Sequence, residues 1–306
     1  MIRSIAFVLL AVVPCGSADA RQTVAIAPAR STCARVHPLW KTQLRTIEAD
    51  GGKVPVQAWV DQLFRPNATF WNGYLGDEPA FRAWAQKFTL PNDARRSAPL
   101  DRDIAADIRK VTASAAAFAG RPQPCSDWYV VFGPGWTNMG GVGKGQMVVD
   151  FMGMPKADPL SDFDIYLPHE VNHLLWTAAR PDAGLGPLLE RVVSEGFATY
   201  FAAIYDPVSP ARSLGYTPDE YRWAVAHEGE LWNNARPLLA REDGKVVNRY
   251  MAASSHLEPA APGKIGYFLG YRIVQAYVAR HGPRSWKQLY NMTAAQILDA
   301  SGYDPK

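Results

Sequence analysis

Apolar residues recur three or four positions apart in four stretches of the first third of the chain: residues 39–47, 56–64, 79–88 and the alanine-rich 101–118. That spacing gives each stretch one oily stripe and predicts helices, with Pro66 and Asn67 marking a break at 65–69. The aromatic residues here (Phe70, Trp71, Tyr74, Phe81, Trp84 and Phe88) fall at helical spacing and are expected in the core rather than along a cleft. At 127–133 the pattern changes to a run of aromatic and β-branched residues, and 146–151 repeats it, which predicts two strands. Helical spacing then returns over 188–201, 217–239, 265–280, 286–290 and 294–300. The chain has no internal repeat and no low-complexity tract. The fold class predicted is α+β, a small sheet packed beside a helix with helical bundles before and after.

The first residues change that picture only by removing themselves. Arg3, the apolar run 5–13 and Ala18-Asp19-Ala20 have the layout of a signal peptide, so residues 1–20 are expected to be cleaved and the mature chain to start near Arg21. Residues 21–30 read as an Ala/Pro-rich lead-in, 21–124 as a mainly helical N-terminal region and 125–306 as the functional region. Pro14 stands before Cys15 where a lipoprotein signal has a small residue, so lipidation is not expected, and no other stretch is apolar enough to span a membrane. Export leaves Cys33 and Cys125, which are expected to pair in an oxidising compartment. With 32 basic against 29 acidic residues, no basic run is dense enough to hold nucleic acid, and the bases around Arg95, Arg96 and 102–110, mixed with acids, read as a solvated helix face.

The chemistry centres on His169-Glu170-Val171-Asn172-His173. On a helix the two histidines stand one turn apart on one face and can grip a single divalent ion, while Glu170 can reach a water on that ion. Pro168 is tolerated in a first helical turn, so a cap at Asp162 or Asp164 and a helix starting just before His169 are expected. A zinc site with an open position needs a third ligand. Glu195, in an apolar segment beside Gly196, is the expected one, because a carboxylate there is costly unless something neutralises it. Glu190 is the rival, with Arg191 next to it giving it a solvated-face explanation. The glycine-rich stretch 135–145 is not a phosphate loop: Asn138 stands where the first glycine belongs and Gly145 follows Lys144 in place of Ser or Thr.

An HExxH helix followed by a helix carrying Glu-Gly-x-Ala resembles the gluzincin zinc peptidases, and more narrowly the YjaZ-type family of bacterial predicted zinc-dependent proteases. The likeness runs over about residues 125–306, through 188–201, the segment Gly266-Tyr267-Phe268-Leu269-Gly270-Tyr271 and the closing 297–303. It departs at Thr199, where thermolysin-like relatives carry an acid supporting a ligand histidine. The resemblance implies a zincin-like fold and an exported zinc peptidase acting on a peptide or protein. In that reading Zn²⁺ held by His169, His173 and Glu195 activates a water, and Glu170 takes its proton as general base. Tyr267, then Tyr271, with His256 as a third candidate, would stabilise the oxyanion. Residues 140–151 are expected to offer a strand edge to an extended substrate. Two alternatives stand beside it: a zinc hydrolase of another amide or ester, and a non-enzymatic zinc-binding envelope protein.

Overall fold

The structure, a computed structural model, describes residues 33–180 and 186–306. The expected signal peptide, Cys15 and the 21–30 lead-in lie outside the described residues. From the N-terminal side come strand β1 (Ala34–His37) and helices α1 (Leu39–Ala49), α2 (Val56–Trp59), α3 (Ala68–Tyr74), α4 (Glu78–Lys87), α5 (Ala94–Asp101) and α6 (Ile104–Ala119). Strands β2 (Ser126–Val131), β3 (Met139–Gly143) and β4 (Gln146–Asp150) follow, and then the long helices α7 (Pro159–Ala179) and α8 (Leu188–Tyr205). The remainder is α9 (Pro210–Leu214), α10 (Pro218–Ala226), α11 (Glu228–Ala235), α12 (Gly244–Met251), α13 (Ile265–His281) and α14 (Ala294–Ser301). The class is α+β, mainly helical around one small sheet.

The sheet is mixed, in the order β1-β2-β4-β3. β2 pairs in parallel with both β1 and β4, and β3 runs antiparallel along β4. Alternation along its two central strands divides the interior. Tyr129, Val131 and Val148 face one layer, built on Trp59, Phe70, Trp71 and Phe81, while Trp128, Val130, Met147 and Val149 face the layer that holds α7, α8 and α13. The expected aromatic core is therefore real: Phe70 stacks on Tyr129 with ring centres 4.1 Å apart. Cys33 and Cys125 form a disulfide, Cα–Cα 4.2 Å, immediately before the point where Ala34 pairs with Ser126.

Four differences from the sequence expectation have physical causes. β1 is only four residues long, and β3 is rich in glycine, so neither has strand propensity of its own; pairing with β2 and β4 makes them strands. The 217–239 stretch is two helices, broken at His227, where the backbone turns to φ −106° and ψ 13°. Arg95 is not on a solvated face: its side chain is 12% exposed and bonded to Asp93 and the carbonyl of Met152. The fourth concerns the motif helix itself. α7 starts at Asp158, whose carboxylate accepts the Ser161 N–H at 3.1 Å, with Pro159 in the first turn. Pro168 is thus interior, a position that costs about 3 kcal/mol in an isolated helix. Burial of Phe163, Leu167 and Val171 offsets that cost. Asp162 and Asp164 cap nothing: Asp162 accepts from Asn138 at 3.0 Å and Asp164 pairs with Arg102 at 2.7 Å.

Candidate metal centre

Three helices build the site. α7 brings His169, Glu170 and His173 together, the first two buried and His173 half-buried. Its rotation is further fixed where the Tyr290 hydroxyl donates to the Asn172 side chain at 2.5 Å. α8 brings Glu195; its first turn lacks a side-chain cap, and the orphan N–H groups of Leu188 and Leu189 instead donate to the carbonyls of Arg241 and Leu239 at 2.8 and 2.9 Å. α13 crosses α8 at Gly196 and Gly270. A Cβ on either glycine would overlap the other helix's backbone, so only this pair lets α13 lie close enough to carry Tyr267 to the site. Gly266 likewise leaves room for Tyr250 and Met251 of α12.

The geometry is that of three donor atoms around one point. His169 Nε2 lies 3.1 Å from His173 Nε2, and Glu195 Oε2 lies 3.1 Å from the first and 3.2 Å from the second. Nitrogen and oxygen ligands of a tetrahedral zinc ion, each about 2.0–2.1 Å from the metal, stand about 3.3–3.4 Å apart, so an ion fits after a spread of a few tenths of an ångström. His169, Glu170 and His173 each offer an atom within 4.8 Å of the others. His173 Nδ1 is 3.1 Å from Ser194 Oγ, which can accept its proton and leave the Nε2 lone pair facing inward.

The charges agree with this. Burial acts to lower His173, but the Glu195 carboxylate outweighs it and carries the imidazole from 6.5 to about 9. Burial acts to raise Glu195, yet His173 and His169 hold it well below the usual carboxylate range. Glu170 is pushed up by burial, only partly offset by the two histidines. Burial first, then the Glu195 and Glu170 carboxylates, drive Tyr267 well above its ordinary value, so the phenol keeps its proton as a donor. Its ring stacks on that of His169, centres 6.2 Å apart.

The other sequence candidates go elsewhere. Tyr271 is buried against Tyr200, ring centres 5.9 Å apart, and does not line the site. His256 Nδ1 bonds to the carbonyl of Ala261 at 2.6 Å. Glu190 is neutralised by Arg180 at 2.5 Å, not by its neighbour Arg191. Two contributors were not foreseen. Ser194 is one serine among many, with no signal but its place beside Glu195. Lys264 starts α13 at φ 56°, a strained backbone for a residue with a Cβ, and sets its ammonium 5.5 and 5.3 Å from the rings of Tyr166 and Tyr267. The centre opens on a cleft of about 730 Å³, walled by α7 and α8 on one side and by the β3–β4 hairpin on the other.

Residues 166–305 match a family model described as gliding motility protein GldB, a lipoprotein family. No curated protein and no solved structure matches the chain. The match corrects the gluzincin and YjaZ-type resemblance: the family model that matches residues 166–305 is not one of zinc metallopeptidases. The assignments as an enzyme, a protease and a metalloprotease fall with it. The physical reason lies in the pentapeptide, which specifies two imidazoles and a carboxylate on one helix face and thus a metal-gripping geometry. It does not specify bond cleavage. A lipoprotein family agrees with an envelope-associated chain, and among the described residues no helix is long and apolar enough to cross a membrane.

Proposed function

We propose that this chain is an exported, envelope-associated zinc-binding protein of the periplasm or cell surface, which holds an extended segment of a partner polypeptide in its cleft without cutting it. His169, His173 and Glu195 are the zinc ligands in this reading. The observation that carries it is the triangle of their donor atoms, with edges of 3.1, 3.1 and 3.2 Å. Two imidazoles and a carboxylate are the donors that a borderline ion such as Zn²⁺ favours, and a divalent charge offsets the half-buried Glu195 and the buried Glu170. A fourth position stays open toward the cleft, where a partner's oxygen can bind. Glu170 and Tyr267 flank that position as hydrogen-bond acceptor and donor.

β3 is one of the two edge strands of the sheet, and Met139, Gly140, Gly141 and Gly143 line the cleft. Its outer edge, unpaired among the described residues, suits an extended polypeptide, which gains affinity by backbone pairing and register from the metal. The helix pair beside a sheet edge is also the layout of a zincin-like scaffold. The likeness to gliding motility lipoproteins supports binding or assembly at the envelope as the use to which that layout is put.

Equilibrium dialysis of the metal-free mature chain against zinc tests the reading, followed by capture from a random peptide library with and without chelator. One zinc per chain, lost in Glu195→Ala but kept in Glu190→Ala, and intact peptides captured only with zinc present, are the expected results. Capture unchanged by chelation contradicts the proposal.

A further inference from the structure

The cleft beside the metal centre is unevenly charged. At its far end Arg180 is fully engaged: it bonds to Glu190 at 2.5 Å and lies over the Trp176 ring at 4.6 Å. Arg191, one residue along α8, has no such partner among the described residues. Its Nε is buried without a hydrogen bond, and among the described residues no carboxylate lies within ion-pairing distance of its guanidinium. Lys144 faces the same cleft from the β3–β4 turn and is likewise without an ion pair among the described residues. A buried guanidinium nitrogen without a partner is costly, and a ligand is what commonly supplies one.

Arg191 also stands one helical turn before Glu195, so the two side chains rise from the same face of α8 with their Cβ atoms about 5–6 Å apart. A group held by Arg191 is then within about two residues of a group held by the metal, at roughly 3.3–3.6 Å per extended residue. We infer that Arg191 forms a carboxylate-binding subsite, so that the segment taken into the cleft carries a carboxylate within two residues of the group on the metal. This rests on the metal-centre reading above. A single negative charge suits the subsite better than a phosphate dianion, because Glu190 adjoins Arg191 and Glu170 and Glu195 line the same cleft. The carboxylate can come from a chain's C-terminus or from an acidic side chain.

Three probes separate these: acetylated penta-alanine as the free acid, the same peptide as its C-terminal amide, and the amide with a terminal aspartate. Calorimetry on the zinc-loaded mature chain is expected to show a carboxylate-bearing peptide binding about tenfold more tightly than the plain amide. The tighter of the two acids names the source. Arg191→Gln abolishes the preference while zinc uptake stays as in wild type, and Arg191→Lys restores part of it. Equal binding of all three peptides overturns the subsite. So does a preference that survives Arg191→Gln, which would put the carboxylate on the metal or on Lys144, and so does inorganic phosphate competing better than acetate. If the wild-type chain takes up no zinc, the metal reading fails by itself, and the same comparison on the metal-free chain still judges Arg191.

Discussion

The two faces of the sheet bury different things. On one, aromatic side chains close on one another and every polar tip is served: Trp59 donates to Thr46 at 2.8 Å, Trp71 to the carbonyl of Leu63 at 3.0 Å and Tyr74 to Asp150 at 2.7 Å. On the other, two imidazoles and two carboxylates are packed among apolar helices. Among the described residues, every buried side-chain nitrogen or oxygen without a hydrogen-bond partner lies on α7 or α8: His169 Nδ1, Asn172 Nδ2, Trp176 Nε1, Arg191 Nε and Thr199 Oγ1. A protein interior normally satisfies such groups. Here they concentrate on the two helices that bring His169, His173 and Glu195 together, which sets the two faces of the sheet apart.

Breaking that contrast gives the largest effects. Glu195→Ala should weaken zinc binding by about a thousandfold or more, since it removes one of three ligands from an interaction typically worth about 10–16 kcal/mol at structural sites. Trp71→Ala should do the reverse, costing about 3–5 kcal/mol in denaturant unfolding and leaving zinc affinity where it was. If both substitutions hit both properties equally, the division of labour between the faces is wrong.

The aromatic face was legible in the sequence because helical spacing places Phe70, Trp71 and Tyr74 on one helix and Phe81, Trp84 and Phe88 at the same spacing further on, and burial follows from that. His169, His173 and Glu195 were legible for a different reason, since a four-residue spacing and an isolated acid in an apolar helix each have a geometric meaning. β3 and the start of α7 were hidden because tertiary pairing and packing decided them against local propensity, with Pro168 held inside a helix it would ordinarily end. What the site does was read too far. The pentapeptide carries the geometry of metal binding, and the hydrolase assignment came from a resemblance that the match over 166–305 corrects. Ser194 left no trace in one dimension, and Arg191 read only as the neighbour of Glu190, because their surroundings depend on which way α8 faces.

Sharpening the contrast takes smaller changes. Gly270→Ala forces α13 off α8, because its Cβ has nowhere to go but the backbone around Val192 and Gly196. It should cost about 1–3 kcal/mol, the usual range for overpacking, and move Tyr267 away from His169. Loss of stability in urea together with weaker zinc binding is expected, whereas a cavity-filling gain in stability would refute the close crossing.

The smallest effect is in pH. In the metal-free chain His173 is raised from 6.5 to about 9 by Glu195, so the stability their pairing confers is complete below about pH 6.5 and is lost as pH rises through about 9. Glu195 is depressed, so its share is present above its ordinary 4.5 and is lost only in acid. The urea midpoint of the metal-free protein should therefore fall between pH 6.5 and 9, and Glu195→Ala should flatten that fall. Zinc must displace the His173 proton, so its affinity should rise about tenfold from pH 7 to 8. An affinity independent of pH over that range would remove His173 from the ligand set.

The most direct test is the X-ray absorption spectrum of the zinc-loaded mature chain at the zinc edge. The account predicts two imidazole nitrogens and carboxylate or solvent oxygen at about 2.0–2.1 Å, with the imidazole scattering reduced by half in His173→Ala. A spectrum with sulfur ligands, or with imidazole scattering unchanged in that variant, would contradict it.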